Sequence, residues 1–176
     1  LRDQVLIAAL GAPHPLQVDG IGGGHPLTSK VAIIGPPTVA NADIDYLFAQ
    51  VNVDRASVDT SPTCGNLLAA VGPFALETGM IKADAPVTAV RVHPVNTGAI
   101  STALLPTPGR VFDYAGDCIL PGLLHPAAPI RLSFEDAPSG GEARLLPTGL
   151  SRETIHGVEV TLAAYAVPVM IVGADS

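Results

Sequence analysis

Hydrophobic residues fall along this chain in short runs that either alternate with polar positions or stay apolar throughout. Runs of this kind, bounded by glycine, proline and polar turns, are typical of β-strands. They predict strands over residues 31–34, 45–53, 87–93, 99–105, 110–114, 130–134 and, as one or two strands around Pro168, 157–172. The third and fourth runs are joined by the turn 96–98 and predict a β-hairpin, while 139–141 and 147–149 predict surface turns.

Two segments have the spacing of helices instead. The first covers residues 1–10 and ends at Gly11, and the second covers residues 64–79 and ends at Gly79. The second segment is apolar on almost every face, which is typical of a buried helix. At roughly 15 residues it is too short to span a bilayer, which needs about 20. Together with the strands it predicts an α+β fold in which a sheet curls around one central helix.

The composition narrows the classes of function. The 176 residues are 48% hydrophobic with a mean hydropathy of +0.42, enough for one domain, or two small ones, with a real core. A net charge of −7 and the lack of a Lys/Arg cluster argue against a nucleic-acid partner. No signal peptide or membrane-spanning run is visible, and two cysteines make no disulfide framework, so we expect a cytoplasmic protein without a membrane partner. The chain begins without Met in a helical pattern, and we expect it to be a piece of a longer protein.

A glycine-rich stretch precedes the first strand. The consecutive glycines 22–24 allow a ligand to approach the backbone and predict unshielded N–H groups. A nucleotide is not the expected ligand, because a P-loop needs Gly-Lys-Ser/Thr where this chain has Thr-Ser-Lys at 28–30, and the dinucleotide fingerprint is incomplete. The histidines lack the spacing of a metal site, and acidic pairs such as Asp43 and Asp45 resemble solvated strand ends.

Two residues are candidates for chemistry, and each has a plainer explanation. Lys30 lies between the glycine-rich stretch and an apolar strand, where burial would disfavour its charged form and prepare it as a base. An exposed lysine at a strand edge is the alternative. Cys64 lies at the start of the apolar helix, where free N–H groups and the helix dipole favour a thiolate and can bind a carboxylate or phosphate. A small buried residue is the alternative there.

Six motifs occur in an order that resembles a known family. They are GIGGGHPLTSKVAI at 20–33, DIDYLFAQV at 43–51, CGNLLAAVGPFALETG at 64–79, VRVHPVNTG at 90–98, AAPIRLSF at 127–134 and LLPTG at 145–149. Together they are similar to the PrpF-type isomerases, 2-methylaconitate cis-trans isomerase and 4-oxalomesaconate tautomerase, of the diaminopimelate-epimerase-like superfamily. The resemblance covers nearly the whole chain.

The resemblance implies a fold and a domain organisation. The family fold is two pseudo-symmetric domains, each a β-barrel closed around a central helix, with the active site in the cleft between them. Residues 1–176 would be most of the N-terminal barrel domain, without the extreme N-terminus, which also lines the site, and without the second barrel domain. The implied partners are a small carboxylate substrate and the second domain of the same protein, and a homodimer stays open. With half a cleft, we expect this chain to be inactive alone.

The resemblance also implies a cofactor-independent proton transfer that shifts a double bond in a small unsaturated tri- or dicarboxylate. The family's lysine and cysteine map to Lys30, the expected base, and Cys64, which is either the opposing acid or only part of the pocket wall. No metal is implied. The implied substrate-binding residues are Gly22, Gly23, Gly24, Ser29, Gly65 and Asn66.

Several alternatives stay open on the sequence. Within the family, residues 25–27 (His-Pro-Leu) favour 4-oxalomesaconate as the substrate over 2-methylaconitate. Outside it, a carboxylate-binding domain of the same fold without catalysis is the alternative. An amino-acid epimerase is disfavoured, because enzymes of that kind use two cysteines that face each other across a cleft, and Cys118 lies at a predicted strand end that does not match.

Overall fold

Strand pairing in the computed structural model follows most of the apolar runs. The structure describes residues 1–134, 145–165 and 167–175, and the chain divides into two units, Leu1–Glu135 and Asp136–Ser176. The elements of the first unit are α1 (Arg2–Leu10), β1 (Lys30–Gly35), β2 (Ile44–Val51), β3 (Val58–Asp59), α2 (Gly65–Leu68), α3 (Val71–Glu77), β4 (Val87–Pro94), β5 (Ser101–Pro106), a 3₁₀ turn (Pro108–Arg110) and β6 (Arg131–Phe134).

The first unit is built on one six-stranded sheet. Its strand order is β1-β2-β4-β5-β6, with β3 added to β2. Strands β2 and β4 run parallel, and the other pairs are antiparallel. The strands predicted over 31–34, 45–53 and 130–134 are confirmed, and so is the hairpin, which is β4 and β5. Helix α1 is confirmed as well, and Gly11 ends it in the left-handed conformation.

This sheet is open in the part of the chain that the structure describes. Strands β1 and β6 stand at the two ends of the strand order and do not pair with each other. The closed barrel that the resemblance implies is therefore not seen. What the structure shows is the predicted α+β class, mostly sheet with few helices.

The predicted central helix is wrong in two respects. It is divided into α2 and α3, because Pro73 has no N–H to donate to the carbonyl of Ala69. At this break the N–H of Ala70 bonds to the carbonyl of Leu67 at 3.1 Å, the tighter spacing of a 3₁₀ turn. The helix is also not buried on all sides, since the Phe74 side chain is 50% exposed.

The inner faces of α2 and α3 pack against the sheet and form the core with it. Helix α3 lies so close to β5 that a Cβ added to Gly72 would meet Leu105 Cδ1 at 2.8 Å. Close packing of this kind leaves no room for a larger residue at that position. The buried residues of the core are Ile44, Tyr46, Phe48, Leu68, Val71, Ala75, Val90, Val92, Ala103, Leu105 and Phe112.

The strand predicted over 110–114 is wrong. Arg110 ends the 3₁₀ turn, and residues 111–114 pair with none of the strands that the structure describes. The alternation that predicted a strand has another cause. Phe112 is buried in the core and packs edge-on against Tyr114, with ring centroids 4.5 Å apart, while the Tyr114 hydroxyl donates to Glu77 Oε1 at 2.6 Å.

The second unit is a three-stranded antiparallel sheet in the order β7-β8-β9. Its strands are β7 (Glu153–Ile155), β8 (Val158–Tyr165) and β9 (Val167–Val172), so the predicted run 157–172 is two strands and β7 was not predicted. Pro168 lies in β9 at the sheet edge, where a missing N–H breaks no ladder bond. The predicted turn 147–149 is confirmed, whereas 139–141 lies outside the described residues. Among the described helices, none is long and apolar enough to cross a membrane.

Candidate active site

The side chains of Lys30 and Cys64 meet, although they stand 34 positions apart in the sequence. Lys30 Nζ lies 3.6 Å from Cys64 Sγ, and both residues are partly buried. Lys30 is the first residue of β1, and Cys64 precedes the first turn of α2. Because side chains alternate along a strand, Lys30 shares the face of Ala32 and Ile34, which pack against the core. The amine is therefore on the inner side of the sheet, where it reaches the thiol.

The backbone at Lys30 is fixed through its neighbour Ser29, which is fully buried. Ser29 Oγ accepts a hydrogen bond from Gln17 Nε2 at 2.9 Å. The Ser29 carbonyl accepts two more, from the N–H of Val51 at 3.0 Å and from Gln50 Nε2 at 2.9 Å. Ser29, a predicted substrate-binding residue, thus lies in the interior with its hydroxyl on another side chain, and it acts on the site by fixing where β1 begins.

The glycine-rich stretch does not present the row of unshielded N–H groups that the sequence predicts. Gly22 N–H donates to the carbonyl of Leu10 at 3.2 Å, and Gly24 N–H donates to Gln17 Oε1 at 3.0 Å. A Cβ added to Gly22 would lie 2.2 Å from Gln17 Oε1. Gly23 and Gly24 have φ of +75° and +69°, the left-handed region that favours glycine. These glycines therefore allow the loop to fold around a buried amide.

The backbone of Cys64 is held by a hydrogen bond from the sheet. Its carbonyl accepts a hydrogen bond from the hydroxyl of Tyr46, a fully buried residue of β2, at 3.3 Å. Burial, and then the nearby Cys64, raise the pKa of Tyr46 far above its ordinary value, so the hydroxyl remains protonated and able to donate. Gly65 and Asn66 follow in the first turn of α2, where N–H groups precede the first intrahelical bond. The Phe134 ring covers Gly65, since a Cβ there would lie 3.2 Å from its Cζ.

The loop that leads to Cys64 is held by Asn96, in the turn between β4 and β5. Asn96 Nδ2 donates to the carbonyl oxygens of Thr60, at 3.2 Å, and of Pro62. Asn96 Oδ1 is buried and has no hydrogen-bond partner among the described residues. An unpaired buried acceptor costs about 1–3 kcal/mol, so this arrangement needs a physical reason.

The acidic pair at 43 and 45 is not solvated as predicted. Asp43 forms an ion pair with Arg91 at 2.7 Å, and the Arg91 hydrogen bond is the main cause that lowers the pKa of Asp43. Asp45 is buried and lies 2.9 Å from His93 Nδ1. Burial alone would raise the pKa of Asp45, but hydrogen bonds from His93 and Thr38 outweigh it and leave that pKa below its ordinary value.

These acidic residues lie apart from the lysine and the thiol. Asp45 pairs in register with Gly35, five positions along β1 from Lys30, which is about 17 Å at the usual rise of a strand. Cys118 forms an isolated bridge with Ala127. Within the described ranges no three His, Cys, Asp or Glu residues are grouped as metal ligands would be.

Sequence reasoning missed three residues that hold the site: Gln17, Tyr46 and Asn96. Gln17 lies between two turn signals, and nothing in the sequence marks it as buried. Asn96 has only the signal of a turn residue. Tyr46 gives the best signal, because it places a polar group within the apolar strand β2, and a buried hydroxyl usually finds a partner. The three share one property: each bonds to backbone or side-chain groups beside Lys30 or Cys64.

An amine in contact with a thiol provides one base and one acid within a single small site. A neutral amine can take a proton from a carbon atom, and a thiol can return one to a carbon atom nearby. The arrangement suits a reaction in which a proton leaves one carbon and another proton adds to a second carbon close by.

Comparisons with known proteins found similar isomerases and tautomerases. The chain is 48% identical over 175 residues to a 4-oxalomesaconate tautomerase of Pseudomonas putida, an alignment that covers 99% of this chain and 48% of that protein. It is 42% identical over 173 residues to a (4E)-oxalomesaconate Delta-isomerase of Novosphingobium sp., covering 98% of this chain and 48% of that protein. Among solved structures, methylitaconate-delta-isomerase is similar with a TM-score of 0.88 and 38% identity, over 99% of this chain and 46% of that one.

The chain therefore spans about half the length of the relatives it matches. The family model described as PrpF protein matches residues 1–176, which is the full sequence. With that match and the identities above, the chain belongs to the PrpF protein family.

Proposed function

We propose that this chain supplies the catalytic lysine and cysteine of an isomerase that shifts a double bond by allylic proton transfer in a small unsaturated tri- or dicarboxylate. The 3.6 Å contact between Lys30 Nζ and Cys64 Sγ is the observation that carries the proposal. Two relatives are named for isomerising or tautomerising oxalomesaconate, and the similar solved structure is named for methylitaconate. These names support an unsaturated carboxylic acid as the substrate class.

In the proposed reaction, neutral Lys30 removes an allylic proton α to a carboxylate or carbonyl group. The C–H bond breaks, an N–H bond forms, and the electron pair spreads over a dienolate. Cys64 then gives its proton to the other end of the allylic system, which shifts the double bond. Substrate and product have the same oxidation state, so base and acid alone balance the reaction.

After one such turnover Lys30 carries an extra proton and Cys64 has lost one. The direct contact between Nζ and Sγ allows that proton to pass from the ammonium to the thiolate. The pair thereby regains its starting state, and its N–H and S–H protons also exchange with water between turnovers. This return step explains why the two groups should touch each other and not only the substrate.

The carboxylates of the substrate and the charge on the dienolate need donors close to the pair. Gly65 and Asn66 are the best placed, because they open the first turn of α2 directly after Cys64. Gly23 remains a candidate in the glycine-rich stretch. Gly22 and Gly24 are weaker candidates, because their N–H groups already bond within the protein.

The rest of the active protein belongs to the proposal as well. We infer that a second domain supplies the other wall of the cleft, since the relatives are about twice as long as this chain. We also propose that the six-stranded sheet closes into a barrel in the complete protein, and that the protein works in the cytoplasm without a cofactor. A homodimer is compatible with the site described above.

The favoured substrate is 4-oxalomesaconate, and 2-methylaconitate is the alternative. The test incubates the full-length protein with each acid in heavy water and follows deuterium incorporation and double-bond position by NMR. We expect rapid exchange and isomerisation with 4-oxalomesaconate and slower turnover with 2-methylaconitate. The reverse order would reassign the substrate, and binding of either acid without exchange would indicate a carboxylate-binding domain without catalysis.

The base assignment has its own control, because the chain contains one other lysine, Lys82, which is exposed. Lys30→Ala should lower kcat by about 10²- to 10⁴-fold, the usual range for a lost general base. Lys82→Ala should leave kcat unchanged. Wild-type turnover by the Lys30→Ala protein would end the proposed mechanism.

A further inference from the structure

The turn between β4 and β5 reaches across to the loop before Cys64, and we propose that Asn96 is a positioning residue for the thiol. The inference rests on the proposed function, because it assigns Asn96 to the proton transfer carried out by Lys30 and Cys64. Asn96 acts through the backbone of the loop 60–63 and does not touch the reacting atoms.

The hydrogen bonds of Asn96 are the first part of the argument. Its Nδ2 donates to two carbonyls of one short loop, those of Thr60 and Pro62, and Pro62 is only two residues before Cys64. The same loop is tied at its start, where Asp59 Oδ1 accepts from the N–H and the hydroxyl of Ser61 at 2.8 and 2.7 Å. The segment that delivers the thiol is thus held on both sides of Ser61.

The unpaired oxygen of Asn96 is the second part. Turning the amide over would place Oδ1 against the two carbonyl oxygens, where no hydrogen bond can form. The amide therefore has one acceptable orientation, in which both of its N–H groups hold the loop and Oδ1 remains buried without a partner among the described residues. The two hydrogen bonds to the loop thus come with one unpaired acceptor, the Asn96 Oδ1 atom.

The third part is the common origin of the two groups that hold Cys64. The N–H of Val95, next to Asn96, donates to the carbonyl of Tyr46 at 2.9 Å. The Tyr46 hydroxyl donates in turn to the carbonyl of Cys64 at 3.3 Å. Tyr46 lies where β2 pairs with β4, and Asn96 follows the end of β4. Lys30 lies on β1 of the same sheet. One sheet therefore positions the backbone of both Lys30 and Cys64.

The first experiment compares kinetics of two variants of the same turn in the full-length protein. Asn96→Leu keeps the size of the side chain and removes both donors, and Thr97→Val is the matched control at an exposed neighbour. We expect Asn96→Leu to lower kcat by about 10- to 100-fold, because small misplacements of a reacting group have effects of that size. KM should change by less than about threefold, since substrate contacts remain. Wild-type kcat in Asn96→Leu, or an equal loss in Thr97→Val, would overturn the proposal.

The second experiment needs no substrate and so separates this inference from the proposed function. A neutral amine in contact with a thiol can accept the thiol proton as the sulfur attacks, so Lys30→Met should slow alkylation of Cys64 by iodoacetamide by about tenfold, measured on the Cys64 peptide by mass spectrometry. In the Asn96→Leu background, Lys30→Met should have no further effect, because the two groups are no longer in contact. An unchanged effect of Lys30→Met in that background would refute the positioning role, even if no acid is turned over.

A third variant covers the case in which Asn96→Leu fails to fold. Asn96→Asp has the same shape but, when ionised, turns an oxygen toward the two loop carbonyls. When protonated, the introduced carboxyl can donate one hydrogen bond to the loop. The ratio of its kcat to that of the wild type should therefore rise as the pH is lowered. A ratio that does not change with pH would count against the proposal, because a general structural defect has no reason to be repaired by one proton.

Discussion

Replacing Gly22 with Ala should disturb the candidate active site indirectly. The effect passes through the buried side chain of Gln17, which bonds to Ser29 beside Lys30. Gln17 donates to Ser29 Oγ at 2.9 Å and accepts from the N–H of Gly24 at 3.0 Å. A Cβ on Gly22 would lie 2.2 Å from Gln17 Oε1 and 2.3 Å from Cδ and Nε2, so the amide has to move and both bonds break. Each lost hydrogen bond costs about 0.5–1.5 kcal/mol, and the buried groups left unpaired add part of their own penalty. Together these terms give a destabilisation of about 2–4 kcal/mol.

A double-mutant cycle isolates this contact. The backbone of Gly22 lies outside the left-handed region, so alanine itself is not strained there. In a Gln17→Ala background the obstructing amide is gone, and Gly22→Ala should change the free energy of unfolding by less than about 0.5 kcal/mol. The coupling energy between the two substitutions should therefore be nearly as large as the effect of Gly22→Ala alone, about 2–4 kcal/mol, and well above the error of the method. Urea denaturation followed by circular dichroism supplies the four free energies.

Gly35→Ala is the matched control, because an added Cβ there meets no atom within 4 Å. We expect it to be within about 0.5 kcal/mol of the wild type in both backgrounds. Additive effects of Gly22→Ala and Gln17→Ala would refute the reasoning, since the clash would then not involve the amide. A Gly22→Ala protein of wild-type stability would refute it as well.

Three further predictions concern the residues around the site. Cys64→Ser should lower kcat about 100-fold if the thiol is the acid, while Cys118→Ser should match the wild type; retained activity in Cys64→Ser would leave the thiol as pocket wall only. Tyr46→Phe removes the hydrogen bond to the Cys64 carbonyl and should lower stability by about 1 kcal/mol in thermal unfolding, and an unchanged melting temperature would contradict that bond. Asp43 has a pKa below its ordinary 3.8, so its stabilising effect is complete above that value and is lost as the pH falls through the lower folded value. Asp43→Asn should therefore flatten the acid side of the curve of urea midpoint against pH, and an unaltered slope would be the contrary result.

The sheet could be predicted because the hydrophobic pattern within each strand indicates a strand by itself. The alternation in 87–93 matches a burial pattern of period two, whereas 31–34 is an unbroken apolar run. Both are strands in the structure. The helix over 64–79 is predicted too long because a proline within it breaks the hydrogen-bond ladder while the apolar pattern continues through it. In 110–114, aromatic side chains alternate because one packs in the core and the other bonds to Glu77, and no described strand pairs with this segment. A hydrophobic period indicates which side chains are buried, and a side chain can be buried without the backbone hydrogen bonds of a strand.

Some residues of the candidate site could likewise be predicted from the sequence, and others could not. Lys30 and Cys64 could be proposed because their residue types, and the residues next to them in the sequence, suggest chemistry by themselves. Gln17 and Asn96 could not, because their roles depend on contacts with loops that lie 12 or more positions away in the sequence. The glycines illustrate the difference best. Three in a row suggested unshielded N–H groups open to a ligand, yet Gly22 is required by the amide of Gln17, which only the folded chain brings beside it.

In the proposed reaction, the geometry of the pair would also determine the face of the substrate on which the protons move. Each group has to come within about 3 Å of its carbon to transfer a proton, so groups on opposite faces would stand roughly 6 Å apart. The observed separation between Nζ and Sγ is 3.6 Å, which places both on the same side. The proton should therefore be removed and returned on one face, and some of it should be the same proton passed across the contact. With substrate deuterated at the migrating position, turnover in ordinary water should give product that retains part of the label on that face, as read by NMR. Label added to the opposite face would show that Lys30 and Cys64 do not work as one pair.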